Sequence, residues 1–306
     1  MSPLTDLDLH EMHFLLACPV GFDYDFMLGF LHPRIIEGVE CVTQGKYARS
    51  FRFENPQTVD GYINGYFEVE YQSAENALAV KVECDDELGF EVVQQRVRFM
   101  FDLDTDMQAI EHQLQADSVL QRGFVDHRVP RMPKAFDAFE FCIRAILGQQ
   151  VSVKAATTLA KRIAHSTQLT TPKSFPVGID FFFPQCNDLL NHSFDGLGLT
   201  SSRIATLQVV IGALQNDEIS LDKAQVFEEF LTQWTALKGV GPWTANYLAM
   251  RGLGIQDSFP DKDLGVLKAL AIDGQYPARK AVLEQAKAWQ PYRAYATLCL
   301  WNGLGH

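Results

Sequence analysis

Two hydrophobic rhythms divide the chain. In its first part, apolar residues recur at every second position, the period of a strand with one buried face. Phe67, Val69 and Tyr71 share one side of Gly65–Tyr71, while Glu68 and Glu70 take the other. After the turn-like stretch Ser73–Asn76, Leu78, Val80, Val82 and Cys84 repeat the pattern, which predicts a hairpin. Arg49–Phe53, with Phe51 and Phe53 on one side, reads as a third strand. A helix is predicted over Phe26–Ile36, with Pro33 near an end or at a kink, because proline cannot donate within a helix. A further helix is predicted across residues 88–116, where Phe90, Val93, Val97, Phe101 and Ile110 fall on one face.

From about residue 119 the period becomes helical and stays so. Arg122–Pro133 is a loop rich in Arg, His and Pro, and Ala135–Leu147 is apolar enough for a buried helix. Gly148-Gln149-Gln150 interrupts it, and Ser152 is placed to N-cap the next helix, through His165. Further helices are predicted at Ser201–Gln215, Asp222–Trp234, Pro242–Arg251, Leu264–Leu270, Pro277–Lys287 and Pro291–Leu300. The expected organisation is α+β, with an antiparallel α+β domain over 1–118 and an all-helical domain over 119–306.

Composition narrows the classes. The 306 residues suffice for two domains with full cores. The acidic start MSPLTDLDLHEMHF lacks the basic stretch of a signal peptide, and no apolar run reaches the roughly 18–20 residues of a membrane span. A soluble, monomeric, cytoplasmic protein is expected, without membrane association. Six scattered cysteines with no Cys-x-x-Cys pair predict free thiols rather than disulfides or a zinc or iron–sulfur site. The net charge of −12 is unevenly spread. Residues 1–120 hold 7 Lys/Arg against 22 Asp/Glu, residues 121–200 hold 9 against 6, and residues 201–306 hold 10 against 10. The acid therefore belongs to the first third, and a polyanionic partner stays compatible with the rest.

The densest chemistry lies in Leu237-Lys238-Gly239-Val240-Gly241-Pro242-Trp243-Thr244-Ala245, followed by Asp263. Two glycines permit a tight turn, and Pro242 suits a first helical position. Amides exposed at such a helix start attract phosphate through free donors and the helix dipole. Gly-x-Gly before a helix is common, so the neighbouring blocks carry the specificity.

Those blocks are Phe26-Met27-Leu28-Gly29-Phe30, Lys46-Tyr47-Ala48-Arg49-Ser50, Arg144 to Val153, Trp243 to Gly252, Phe259 to Gly265, and Trp289 to Ala296. In this order the chain resembles the helix–hairpin–helix DNA glycosylases, in particular their alkylation-repair branch, the DNA-3-methyladenine glycosylase II family. The resemblance runs from about residue 20 to 302. It implies that the N-terminal domain looks like half of a TATA-binding-type saddle, and that the helical domain has two lobes with a cleft between them. The implied partner is double-stranded DNA containing alkylated bases, and the implied reaction is excision of 3-methyladenine- or 7-methylguanine-type purines.

By the same resemblance Asp263 is the catalytic carboxylate, stabilising the positive charge left on the sugar; a helix cap for Leu264 onward is a compatible role. Asp261 matches no family acid and is expected to be a solvated loop residue. Lyase members carry Lys where this chain has Trp243, which implies hydrolysis to an abasic site without strand cleavage. Trp243, Tyr247, Trp301 and Phe30 are implied to form the base pocket. Lys238, Gly239, Val240, Gly241, Thr244 and Ser152 are implied DNA contacts, and Gln150 fills the gap left by the flipped nucleotide. Leu264-Gly265 stand where the family pattern carries bulkier residues, which suggests a more open pocket. No cofactor is implied beyond a monovalent cation on the backbone carbonyls of Thr235, Leu237 and Val240. The rival readings are a non-catalytic damaged-DNA recognition module and an oxidised-guanine glycosylase/lyase. With no zinc-binding or helix-turn-helix regulatory domain in view, repair rather than transcription is expected.

Overall fold

In the computed structural model, residues 7–58 and 61–305 are described, so the first six residues of the acidic start lie outside them. Five antiparallel strands, β1 (His10–Ala17), β2 (Glu40–Thr43), β3 (Lys46–Glu54), β4 (Tyr62–Gln72) and β5 (Ala77–Cys84), form one sheet in the order β1-β5-β4-β3-β2. The three predicted strands are β3, β4 and β5, and Phe67 pairs with Val82 across β4 and β5. Among the described residues there are also twelve α-helices: α1 (Tyr24–Leu31), α2 (Leu88–Met100), α3 (Met107–Leu114), α4 (Ala138–Leu147), α5 (Val153–Ser166) and α6 (Cys186–Leu189) come first. Then follow α7 (Ser201–Gln215), α8 (Phe227–Ala236), α9 (Pro242–Tyr247), α10 (Leu264–Ala269), α11 (Arg279–Ala286) and α12 (Arg293–Asn302). The chain is thus α+β, with every strand N-terminal to residue 85. None of these helices is long and apolar enough to cross a membrane.

Several predicted boundaries shift for local reasons. The helix expected over 88–116 is two helices, α2 and α3. Between them Asp102 takes a left-handed φ of 56°, and its buried carboxylate accepts from Met132 N (3.0 Å) and Tyr295 Oη (2.8 Å) while pairing with Lys134. Asp106 then caps α3 by accepting from Gln108 N at 3.0 Å. The helix predicted from Asp222 begins at Phe227, because Asp222 Oδ1 accepts from Ala224 N (2.8 Å) in a side-chain-closed turn. Pro33 falls in the single 3-10 turn that ends α1.

The chain folds as two compact units, each drawn from two segments. The first comprises Met1–Arg98 and Cys142–Glu218, and contains the sheet with α5, α6 and α7. Here Tyr66 of β4 packs with Leu169, Phe175, Ile179 and Phe182. Ser50 Oγ donates to Phe181 O at 2.6 Å, and Arg52 pairs with Asp188 at 3.3 Å. Glu40, 5% exposed, is the buried charge that ties β2 to α4. It accepts from Ile36 N, Tyr47 Oη and Arg144 Nη1 at 2.8, 2.5 and 3.2 Å, with Arg49 at 3.5 Å. Burial alone would raise its pKa, but the guanidinium groups of Arg144 and Arg49 hold it below the ordinary carboxylate value.

The second unit comprises Phe99–Phe141 and Ile219–His306. Its α12 lies so close to Gly123 that a Cβ there would sit 1.8 Å from Cys299 O. Trp289 Nε1 donates to Asp117 Oδ2 at 2.8 Å, and Arg293 grips Asp257 through two bonds of 2.6 and 2.8 Å. All six cysteines are free, and burial pushes the Cys186 thiol up to about 11.

Replacing Arg144 by Met leaves Glu40 buried with its strongest counter-charge gone. Urea unfolding should show a loss of about 3–5 kcal/mol at neutral pH. Since the folded-state pKa of Glu40 is depressed, its contribution is complete above the ordinary carboxylate range. It is lost as pH falls through the depressed value, so the gap between wild type and R144M should shrink towards acid.

Candidate active site

The site region of the second unit begins with α8, whose own Phe230 and Trp234 are buried with their rings 5.3 Å apart. After α8 the chain turns through Leu237–Val240, with Val240 N donating to Leu237 O at 3.1 Å. Gly239 has φ of 91°, a value that excludes most side chains, so the expected need for glycine holds there. Gly241 does not share it. It is the N-cap of α9 with φ of −93°, and a Cβ on it would meet nothing within 4 Å. Pro242 occupies the first helical position, as expected. Lys238 is exposed on the turn, and Thr244 is buried in α9.

Asn246 of α9 is buried and joins this helix to the segment ahead of Asp263. Its Nδ2 donates to Pro242 O at 2.9 Å, and its Oδ1 accepts from Phe259 N at 2.9 Å. Ser258 Oγ donates to Asn246 O at 2.6 Å. One amide side chain therefore fixes where Phe259-Pro260-Asp261-Lys262-Asp263 lies against α9.

Asp263 caps α10: its Oδ1 accepts from Val266 N at 3.1 Å, as the capping reading requires. Two indoles complete its surroundings. Trp301 Nε1 of α12 donates to Oδ1 at 2.8 Å, and Trp243 Nε1 of α9 donates to Oδ2 at 2.7 Å. A carboxylate with three such donors has its plane and direction fixed. The ring of Tyr247 stacks on Trp243, with centroids 5.2 Å and planes 24° apart, and meets Trp301 edge-on at 6.0 Å. Trp243, Tyr247, Trp301 and Asp263 are all partly exposed, so the fold brings one carboxylate and three aromatic rings together at an accessible place.

Below them α9 widens into a π-helical stretch, Leu248–Leu253, ended by Gly254 with φ of 76°. It carries Arg251, 4% exposed, whose Nε donates to Pro133 O at 2.8 Å and whose Nη1 donates to Tyr247 Oη at 3.0 Å. Phe141 packs on the same tyrosine with centroids 5.1 Å apart. Sequence reasoning misses Arg251 and Asn246. Both sit inside the block Trp243 to Gly252, where a charged or amide residue among apolar ones was the available clue.

Two expectations need correction. Asp261 is not a solvated loop residue: it is 6% exposed and paired with Arg279, because the loop folds inward under Asn246. The glycine after Leu264 does not open the site, since Gly265 lies directly against the Trp301 indole.

The remaining predicted residues belong to the first unit. Phe30 is buried beneath the guanidinium of Arg34, 3.8 Å from the ring centroid. Gln150 is exposed on the α4–α5 turn with a left-handed φ of 57°. Arg203 of α7 braces that turn by donating to Gln149 O at 2.6 Å and Ile146 O at 3.3 Å. Ser152 caps α5, its Oγ accepting from Ala155 N at 3.2 Å.

Residues 14–137 match the family model of the AlkA N-terminal domain. The chain is 32% identical over 290 residues to a Mycobacterium tuberculosis protein named probable bifunctional transcriptional activator/DNA repair enzyme AlkA. That match covers 93% of this chain but 55% of the mycobacterial protein, so the chain spans about half the length of that relative. It is 29% identical to DNA-3-methyladenine glycosylase 2 of Escherichia coli over 283 residues, 92% of this chain and 93% of the other. Among solved structures, the 3-methyladenine DNA-glycosylase from Archaeoglobus fulgidus shares the fold, with a TM-score of 0.74 at 19% identity over 94% of this chain and 97% of that one.

Asn246→Ala removes an acceptor for Phe259 N and a donor to Pro242 O inside a closed structure. We expect a loss of about 2–3 kcal/mol in urea unfolding. In hydrogen exchange, the Phe259 amide should lose protection before that of Trp289.

Proposed function

We propose that the chain is a member of the AlkA-type DNA-3-methyladenine glycosylases, and that it excises alkylated purines, of the 3-methyladenine and 7-methylguanine type, from duplex DNA by hydrolysis. The observation that carries this is the carboxylate of Asp263, held by two indole N–H groups beside three aromatic rings.

Hydrolysis breaks the bond between C1′ and the base nitrogen, and the bonding electrons leave with the base. The positive charge that grows on the sugar is then stabilised by a fixed carboxylate, which needs no reorganisation as the bond breaks. Water adds its oxygen to C1′ and passes its proton through Asp263 to solvent, leaving an abasic site. Oδ2 accepts one protein donor against two on Oδ1, which favours Oδ2 as the oxygen that meets water and sugar. A purine alkylated at N3 or N7 is cationic, and each well-placed ring attracts it by roughly 0.5–2 kcal/mol. Trp243 in the place of a lysine nucleophile favours hydrolysis over a lyase reaction.

We further infer that α8, the Leu237–Val240 turn and α9 act as the helix–hairpin–helix, with amides near Gly239, Gly241 and Trp243 holding a phosphate. The carbonyls of Thr235, Leu237 and Val240 are hard oxygen donors on that turn, suited to a monovalent cation with a structural role and no part in the chemistry. The five-stranded sheet corresponds to the TATA-binding-type half saddle. Gln150, raised on a left-handed turn, is the residue to fill the space of the flipped nucleotide. We further propose that the protein acts as a monomer in the cytoplasm.

Incubation with methylated duplex DNA should release free 3-methyladenine and leave alkali-labile abasic sites without direct strand cleavage. Asp263→Asn should lower the rate by at least about a hundredfold, the scale of a lost electrostatic group, while duplex binding persists. Binding without release by the intact protein would instead make it a damage-recognition module. Gln150→Gly suits the left-handed backbone and should leave the thermal midpoint unchanged. It should slow release from duplex about tenfold, the weight of one contact of about 1.4 kcal/mol, and leave release from single strands unchanged.

A further inference from the structure

Gly265 is the second residue of α10, a helical position without left-handed backbone, where alanine is ordinarily the more stabilising residue. The reason for glycine is therefore spatial. A Cβ built there would stand 2.7 Å from Trp301 Cδ1, 3.0 Å from Trp301 Nε1 and 2.9 Å from Asp263 Oδ1. Two of these are the atoms of the 2.8 Å hydrogen bond between indole and carboxylate. Neither partner yields cheaply. Asp263 is held by Val266 N and Trp243 Nε1, and Trp301 is a rigid ring in edge contact with Tyr247.

We propose that Gly265 is a positioning residue for base excision: its lack of a side chain lets the Trp301 indole settle over the start of α10 and donate to Asp263 Oδ1. Occupying Oδ1 in this way turns Oδ2 toward the reacting sugar. The role rests on the base-excision reading above. It assigns to one glycine the control of how Trp301 serves both as a ring and as a donor to the carboxylate.

The test uses the full chain labelled with 15N at its tryptophans, together with single-turnover release of 3-methyladenine from methylated duplex. Trp301→Phe keeps a ring, removes the N–H and identifies the Trp301 Nε1–H resonance by its disappearance. In Gly265→Ala this resonance should move upfield and lose protection from solvent exchange. The single-turnover rate should fall about tenfold or more, as expected for one charge-assisted hydrogen bond, with duplex affinity changed less than about threefold on the same scale. Because phenyl is narrower and has no N–H, Gly265→Ala made in the Trp301→Phe background should cost much less rate than in wild type. An unmoved Trp301 resonance with an unchanged rate in Gly265→Ala overturns the proposal, as do equal rate losses in both backgrounds. If the wild-type protein releases no base, the base-excision reading falls, and the resonance still decides whether Gly265 sets the indole–carboxylate bond.

Discussion

A carboxylate set among aromatic rings must find donors for its charge, because apolar neighbours offer nothing in place of water. At Asp263 the donors come from three separate helices: Trp243 from α9, Trp301 from α12 and Val266 from α10. Meeting the needs of one side chain therefore fixes three helices at their point of approach. Other features follow from it. The Gly239 turn delivers α9 in the direction that Trp243 requires, Asn246 sets the path of the chain into Asp263, and Gly265 clears space for the second indole. The aromatic rings are then not a separate pocket to which an acid was added. The indole edges of Trp243 and Trp301 hold the carboxylate.

Where a residue's task is local, the sequence was a good guide. The alternation in β4 and β5, the limits of α7, and the caps Ser152 and Asp263 all depend on neighbours a few positions away. β1 and β2 escaped notice because a mostly exposed edge strand and a four-residue strand offer little period to read. The break between α2 and α3 was hidden for another reason. Asp102 leaves the helix to meet Met132, Lys134 and Tyr295, partners 30 to 193 residues away. Of the site, Asp263, Trp243, Tyr247 and Trp301 were legible through the family resemblance. The indole–carboxylate bonds, the burial of Asp261 and the spatial demand on Gly265 arise only when α9, α10 and α12 meet, so no spacing announces them.

Each compact unit is assembled from two stretches of chain, and in the first buried charges pair across them. Glu40 and Arg144 are 104 residues apart, one on β2 and one on α4. A buried carboxylate that loses its strongest counter-charge is strongly unfavourable, so the packed sheet is stabilised by the helix that carries Arg144. Ser50 with Phe181 and Arg52 with Asp188 repeat the link along β3. The buried Glu40 of the first third thus draws one of its cations from later in the chain.

The π-helical stretch Leu248–Leu253 holds more residues per turn than the α-helix before it. Each α-helical residue advances the chain by about 100°, so deleting one residue here would rotate everything that follows against Trp243 and Tyr247. Arg251 would then swing away from both the Tyr247 hydroxyl and the Pro133 carbonyl.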